Sequence, residues 1–187
     1  MFKNKNIVIG ITGGISCYKA CDIVSFLVKN SANVDVIMTE NATKFITPLT
    51  LETLSKHKVV VDMFEKKEHI DVEHVSLAQK ADIVLVIPAT ANIIGKVANG
   101  IADDMLSTTI MATPAKVVFA PAMNNIMYNN KIVQENISKL KSYGYSFIDP
   151  QEGNLACGYN AIGKLADKDT IINYIKNILE SDDENGL

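Results

Sequence analysis

The sequence predicts an α/β fold of three layers, in which helices cover both faces of a parallel sheet. Short apolar runs alternate along the chain with segments of helical spacing, and this alternation is typical of parallel sheets. The runs at residues 5–11 and 83–87 are rich in β-branched side chains, as expected of strands buried on both faces. The 187 residues give room for a single domain, which we expect to span residues 1–180.

Six strands are expected from the apolar runs. They lie, in chain order, at residues 5–11, 33–38, 59–61, 83–87, 116–120 and 145–148. The fourth and fifth should end before Pro88 and Pro121, because proline cannot donate a hydrogen bond to a sheet. Residues 149–168 are rich in Gly and Asn, and we expect a loop there.

Helices are expected where apolar residues recur at three- and four-residue spacing. They lie at residues 16–29, 41–45, 73–80, 91–98, 103–111, 131–143 and 169–179, with another that begins at Pro48. Gly144 should end one helix and Asp169 should cap the last, since glycine favours a C-terminal stop and aspartate an N-terminal cap. Residues 181–187 are acidic and predict a disordered tail.

The composition argues against several classes of function. The formal net charge of −3 is unlike that of non-specific nucleic-acid-binding proteins, which need a basic face. No apolar run reaches the length of about 18 residues that a membrane span needs, and the N-terminal run has no signal-peptide cleavage site. Three cysteines without a secretory context predict free thiols and a cytoplasmic location. Asp103 and Asp104 are expected to cap a helix, and we predict no metal site.

The loops that follow the strands are the places to expect a ligand, because parallel sheets bind ligands at the carboxyl ends of their strands. Gly13 and Gly14 follow the first strand, where glycines allow backbone N–H groups to approach a phosphate. Their spacing, G-x-x-G-G, differs from the dinucleotide pattern, and Glu40 is a weak substitute for the acid that holds a ribose. A tight turn without a ligand is the alternative, and the glycines alone do not decide between the two.

Hydroxyl and amide side chains follow the next strands. Thr39 and Asn41 stand after the second strand, and Thr90 and Asn92 after the fourth. Such groups suit a neutral to anionic ligand such as a phosphorylated ribityl chain, although each could instead cap a helix. Three loops that converge on one sheet edge favour a ligand.

Three further residues are candidates for chemistry. His74 begins a helix and, taken alone, is more often structural than catalytic. Asn124 directly follows a strand, and its amide could pair with a carboxylate or simply form a turn. Cys157 lies in a loop rich in Gly and Asn, where a reactive thiol would be accessible.

Other residues of reactive type are expected to have structural or solvated roles. Cys17 and Cys21 stand four residues apart on the first helix and should pack in the core. His57 follows a helix and His69 lies in a charged segment, so both should face solvent.

Five motifs in a fixed order carry a family resemblance. They read GITGGISCYK, PATAN, NGIADDMLST, PAMNNIMY and NLACG. Together they resemble the homo-oligomeric flavin-containing cysteine decarboxylases over about residues 5–180, most of all the branch that acts on phosphopantothenoylcysteine. The resemblance implies a Rossmann-like or flavodoxin-like fold with FMN as cofactor. It also implies oxidative decarboxylation of 4′-phosphopantothenoylcysteine to 4′-phosphopantetheine, a step of coenzyme A biosynthesis.

The resemblance also assigns residue roles. It places the FMN contacts on Gly13, Gly14, Ile15, Ser16, Thr39, Glu40, Asn41, Thr90, Ala91, Asn92 and Ala122. It places the catalytic roles on His74, Asn124 and Cys157, with Asn124 as partner of the substrate carboxylate and Cys157 as proton donor. The implied substrate contacts are Asn124, Met127, Ala156 and Cys157.

The same resemblance implies partners. Family members form homo-trimers or larger assemblies of trimers, with the flavin at contacts between subunits. Many bacterial members carry a fused ligase domain, and we expect none in this chain. The sequence departs from the family at Tyr128, where the family has Trp, at Ile93, where it has a hydroxyl, and at residues 159–164 of the clamp loop.

Four alternatives remain open. A decarboxylase of C-terminal cysteine peptides belongs to the same family, but that branch lacks the clamp cysteine, so Cys157 argues against it. A flavodoxin-like or NAD-dependent redox protein, a prenyl-transferring flavoprotein and a non-catalytic regulatory subunit are the others. The retention of His74, Asn124 and Cys157 favours the decarboxylase over the last two.

Overall fold

The computed structural model describes residues 2–64, 73–154 and 160–185. Its strands are β1 (Asn6–Ile11), β2 (Asn33–Met38), β3 (Ile83–Ala89), β4 (Lys116–Pro121), β5 (Ser146–Phe147), β6 (Gln151–Asn154) and β7 (Asn160–Lys164). The first five form one sheet in the order β2-β1-β3-β4-β5, in which every pair is parallel. Strands β6 and β7 form a separate antiparallel pair. The predicted α/β fold is confirmed.

Helices cover both faces of the sheet. They are α1 (Cys17–Lys29), α2 (Glu40–Thr43), α3 (Pro48–Ser55), α4 (Glu73–Lys80), α5 (Ala91–Ala98), α6 (Met105–Ala112), α7 (Asn125–Tyr128), α8 (Lys131–Ser142) and α9 (Lys168–Asn185). One core contains residues of α1, α3 and α9, and the other contains residues of α4, α5, α6 and α8. Across the described residues, no helix is long and apolar enough to cross a membrane.

The β-branched runs form the central strands because both of their faces are buried. In β1, Ile7 and Ile9 belong to one core, while Val8 between them belongs to the other. Full burial of each such side chain stabilises the folded state by about 1.5–3 kcal/mol relative to leaving it exposed. A continuous apolar run is therefore the sequence pattern that this position in the sheet requires.

The order of the strands creates a crevice between β1 and β3. The chain passes from β1 to β2 on one side and then returns across β1 to form β3 on the other side. Loops that leave neighbouring strands toward opposite faces of the sheet diverge, and ligands bind in the crevice between them. The loop after β1 contains Gly13 and Gly14, and the loop after β3 contains Thr90 and Asn92.

Both predicted strand ends at proline were wrong by a short distance. Strand β3 continues through Pro88 to Ala89, and β4 includes Pro121. The pairing register of β3 and β4 shifts between Val86 and Ala89, so the prolines pass through irregular or terminal positions that need no N–H donor. The expected strand at 59–61 is a single bridge from Val60 to Ile37.

The region after β5 also differs from the prediction. Residues 149–168 were expected to be a loop, but they contain the hairpin strands β6 and β7. Asp167, not Asp169, caps α9, because Asp167 accepts a hydrogen bond from the Thr170 backbone N–H at 2.8 Å.

The last helix is longer than the sequence predicts. Helix α9 continues to Asn185, so most of the segment expected to be a disordered tail is helical. An ion pair between Lys176 and Glu180 and a hydrogen bond from Ser181 to the Ile178 carbonyl support this extension.

Candidate active site

A buried hydroxyl joins the loops that follow β1 and β3. The Thr12 side chain is 2% exposed, and its Oγ1 donates a hydrogen bond to the Pro88 carbonyl at 2.6 Å. The same oxygen accepts the Thr90 N–H at 3.1 Å. Thr12 was missed by the sequence analysis, although a hydroxyl directly after a strand was the signal used for Thr39 and Thr90. This network fixes the two walls of the crevice relative to each other.

The two glycines of the first loop have different surroundings. A Cβ added at Gly13 would lie 2.6 Å from the Asn41 Cβ, so glycine is required for this loop to pack against α2. A Cβ at Gly14 would meet nothing closer than 3.8 Å. Gly14 therefore leaves space that the described residues do not fill.

The start of α1 is suited to an anion. Ser16 is the N-cap, but its side chain makes no capping hydrogen bond, and the first turn contains no acidic residue. In contrast, Thr39, Thr90 and Asn124 each cap a helix through a side-chain oxygen. The Cys17 and Lys19 N–H groups donate to the Gly14 and Ser16 carbonyls. The positive end of the helix dipole still favours a phosphate or carboxylate here.

Two cavities open at the crevice. The Gly14 cavity, of about 490 Å³, is lined by Gly13, Gly14, Ile15, Ser16, Tyr18, Lys19, Thr90, Ala91, Ala122, Met123, Asn124, Met127, Gly163 and Lys164. The Asn41 cavity, of about 420 Å³, is lined by Thr12, Gly13, Thr39, Glu40, Asn41, Thr90, Ala91, Asn92, Ile93, Lys96, Asp104 and Met127. Both lie in the size range of small-molecule sites.

The cavities adjoin, because Gly13, Thr90, Ala91 and Met127 line both. All eleven residues to which the resemblance assigned FMN contacts line one cavity or the other, as do Asn124 and Met127. Thr39 and Thr90 also cap helices α2 and α5. These two residues therefore both cap a helix and line a cavity.

Asn124 is held by its neighbours in a defined orientation. Its Oδ1 accepts the Ile126 N–H at 2.8 Å, which makes the NH₂ group the donor end of the side chain. The preceding residue, Met123, donates its N–H to the Gly163 carbonyl at 3.0 Å. Gly163 has φ +135°, and a Cβ there would overlap the Met123 carbonyl oxygen. The hairpin of β6 and β7 thus contacts the Asn124 turn too closely for any side chain at position 163.

A compact ion cluster lies on the Asn41 cavity. The Lys96 ammonium is 2.6 Å from Asp103 Oδ1 and 2.7 Å from Asp104 Oδ2. Burial works to raise the pKa of Asp104, but hydrogen bonds from Lys96 and Ser107 outweigh it and lower that pKa. Burial likewise works to lower the pKa of Lys96, and the two carboxylates raise it. Asp104 also caps α6 through Ser107, as the capping interpretation predicted.

The candidate histidine lies apart from the cavities. His74 is the second residue of α4, is half-buried and lines neither cavity. Helix α4 packs against α6, and its last residue, Lys80, pairs with Asp35 of the edge strand β2 at 2.6 Å.

The remaining cysteine and histidine predictions have mixed outcomes. His57 does not simply face solvent, because its Nδ1 lies 3.0 Å from Asp35 Oδ1. Cys17 is buried in the core and Cys21 packs against it, as predicted. Cys157, Ala156 and His69 lie outside the described residues.

Residues 1–180 match the Flavoprotein family. The chain belongs to this family. It is 57% identical over 177 residues to the Coenzyme A biosynthesis bifunctional protein CoaBC of Borreliella burgdorferi. The aligned residues cover 95% of this chain and 45% of that protein. It is 42% identical to the probable phosphopantothenoylcysteine decarboxylase of Streptococcus mutans, over 92% of this chain and 97% of that protein. The chain spans less than half the length of its bifunctional relatives.

Solved structures agree with this assignment. The FMN-dependent cysteine decarboxylase SpaF is 30% identical, with a TM-score of 0.81 over 92% of this chain and 95% of SpaF. A mutant of PPC decarboxylase, complexed with pantothenoylaminoethenethiol, is 25% identical, with a TM-score of 0.84 over 95% of this chain and all of that one. The family resemblance that the five motifs predicted is confirmed.

Proposed function

We propose that the chain is an FMN-dependent phosphopantothenoylcysteine decarboxylase, which removes CO₂ from the cysteine moiety of 4′-phosphopantothenoylcysteine to give 4′-phosphopantetheine. The observation that carries the proposal is the pair of adjoining cavities at the crevice between β1 and β3. Similarity to the Streptococcus mutans protein over nearly all of its length supports the same activity.

The residues present fit FMN. The start of α1, which has no side-chain cap and follows Gly13 and Gly14, would hold the phosphate. The remaining FMN contacts assigned by the resemblance are neutral hydroxyl and amide groups, with Glu40 as one acid, beside small apolar residues such as Ala91 and Ala122. When bound, FMN accepts and returns the electron pair that a cysteine carboxylate needs in order to lose CO₂, which side chains cannot do.

Asn124 is proposed to bind the substrate carboxylate through its amide NH₂ group. A neutral donor orients the carboxylate without the strong stabilisation that a cation would give to the charged ground state. Because the Ile126 N–H occupies Oδ1, the donor end is held in place before substrate arrives.

The proton transfers are proposed for the other two candidates. His74 assists deprotonation of the substrate at the start of the reaction, and Cys157 donates a proton when the product is completed. In Cys157→Ser, one CO₂ should be released per bound flavin, with further release only where dioxygen reoxidises the reduced flavin, and the product should lack two further hydrogens. Fully reduced product from that variant would contradict the role of Cys157.

A second copy of the chain is proposed to supply His74. Neither of the two cavities that the described residues form includes His74, and the resemblance implies trimers with the flavin at subunit contacts. Ile15 and Tyr18 line the Gly14 cavity with 61% and 58% of their surface exposed, as expected of side chains that a neighbouring subunit covers.

Mixed assemblies test this arrangement. His74→Asn and Asn124→Asp should each be inactive alone, and co-assembly of the two should restore part of the activity, because some sites then combine both native residues. Absence of activity in verified mixed assemblies would contradict the proposal.

The free thiols of Cys17 and Cys21 support a cytoplasmic location as part of the same proposal.

CO₂ release tests the function itself. Holoenzyme given phosphopantothenoylcysteine should release CO₂, the flavin-free protein should not, and added FMN should restore release. Release that is independent of FMN, or none from the holoenzyme, would overturn the proposed function.

A further inference from the structure

Two lysines give the Gly14 cavity a positive charge. Lys19 and Lys164 line it, and no Asp or Glu is among the described residues that do so. The Asn41 cavity differs, because the charge of its Lys96 is balanced by Asp103 and Asp104. Within the described part of the chain, neither Lys19 nor Lys164 forms an ion pair with an acid.

The position of Lys19 is electrostatically unfavourable without an anion. It is the third residue of α1, and a cation in the first turn is opposed by the positive end of the helix dipole. The first turn contains no acidic residue to offset it. An anion bound in the cavity relieves this conflict, whether it belongs to the cofactor phosphate proposed for the start of α1 or to the substrate.

Lys164 lies against Gly153 of the β6–β7 hairpin. A Cβ added at Gly153 would lie 2.7 Å from the Lys164 Cδ and 3.3 Å from its Nζ. The stem of Lys164 therefore lies over Gly153 of β6, at the edge of the cavity that Lys164 lines.

We propose that Lys19 and Lys164 bind the phosphate monoester of the substrate and so make the enzyme selective for a phosphorylated substrate over an unphosphorylated one or a peptide. A phosphate monoester carries about −1.5 to −2 charges at pH 7, which two lysines match. Asn124, in the same cavity, is the proposed partner of the other anionic end. The inference rests on the proposed function for the identity of the substrate, although its binding test does not require turnover.

Binding of the product pair isolates the phosphate. Holoenzyme is titrated calorimetrically with 4′-phosphopantetheine and with pantetheine, which differ only in this group. Lys19→Met and Lys164→Met keep most of the apolar stem and remove the charge. Each should weaken binding of the phosphorylated ligand about 10- to 100-fold, as expected for a lost charged hydrogen bond, and change pantetheine binding less than about twofold. Lys164→Arg keeps the positive charge and should therefore keep the preference for 4′-phosphopantetheine over pantetheine.

Lys131→Met is the matched control, because Lys131 is 90% exposed on α8 and lines neither cavity. Wild-type protein that binds both ligands equally would overturn the inference. So would variants that lose FMN affinity while the preference for the phosphorylated ligand stays, since the lysines would then serve the cofactor phosphate. Selective binding without decarboxylation would instead support the phosphate site and reject the proposed function.

Discussion

Replacement of Gly14 by alanine separates the requirements of the fold from those of a ligand. The added Cβ would meet Pro88 Cγ and Thr90 Cγ2 at 3.8 Å, which is ordinary van der Waals contact. We therefore expect the free energy of unfolding of the flavin-free protein to change by less than about 0.5 kcal/mol. The methyl group would project into the Gly14 cavity, where the proposal places the cofactor beside the start of α1.

Gly13→Ala is the matched contrast on the next residue. Its Cβ would lie 2.6 Å from the Asn41 Cβ and 3.0 Å from the Asn41 backbone carbon, so the loop or α2 must move. Overpacking of this kind costs about 1–3 kcal/mol. In a domain of this size, that corresponds to a fall in melting temperature of about 2–12 °C, against less than about 2 °C for Gly14→Ala.

The assay combines urea unfolding of the flavin-free variants with titration by FMN, followed by flavin fluorescence. Gly14→Ala should unfold like wild type and bind FMN about 10- to 100-fold more weakly, as expected if a charged hydrogen bond to the loop is lost. Wild-type FMN affinity in Gly14→Ala would refute the assignment of this space to the cofactor. A loss of stability equal to that of Gly13→Ala would refute the reasoning from the contacts.

Three other predictions concern the rest of the site and the fold. Gly163→Ala should abolish most activity and lower the urea midpoint of unfolding, because its Cβ would overlap the Met123 carbonyl oxygen. Gly144 also has positive φ, but a Cβ there meets no atom within 4 Å, so Gly144→Ala should lower the free energy of unfolding by only about 1–2 kcal/mol. Equal effects of the two variants in urea titrations would contradict the contact with Met123. Asn124→Asp should retain flavin and lose turnover, because a carboxylate repels the substrate carboxylate, and near-normal turnover in a steady-state assay would reject the role. Hydrogen bonds from the Thr170 backbone and Gln151 lower the pKa of Asp167 to about 2, so the ionised carboxylate should stabilise the fold above about pH 4 and lose this effect as the pH falls toward 2. The melting temperature of Asp167→Ala should therefore be lower than that of wild type at pH 7 and approach it at pH 2. A difference that stays constant with pH would contradict this.

The sheet was predictable because its central strands are buried on both faces. Burial on both sides demands an unbroken apolar run, and the runs around Ile9 and Leu85 have no other simple explanation. The β6–β7 hairpin was not predictable in the same way. Its strands are short, rich in Gly and Asn and irregular in register, so they lack the alternation that identifies a strand.

Most of the site could be predicted because its residues are close in sequence to strand ends. Thr12 was missed, since its importance depends on Pro88 and Thr90, which lie 76 and 78 residues away. The pairing of His57 with Asp35 was missed for the same reason, because a loop residue meets an acid on a distant strand. His74 lines neither cavity, and the sequence could not show this because the position of α4 relative to the crevice is set by tertiary packing.

The central claim is that this chain decarboxylates phosphopantothenoylcysteine and returns the electrons to the product. Mass spectrometry of the product formed by the wild-type holoenzyme tests it most directly. The account predicts a product that has lost CO₂ alone, which requires both oxidation and re-reduction of the substrate. A product that lacks CO₂ and two further hydrogens would contradict the re-reduction step, and unchanged substrate beside a bound flavin would contradict the substrate assignment.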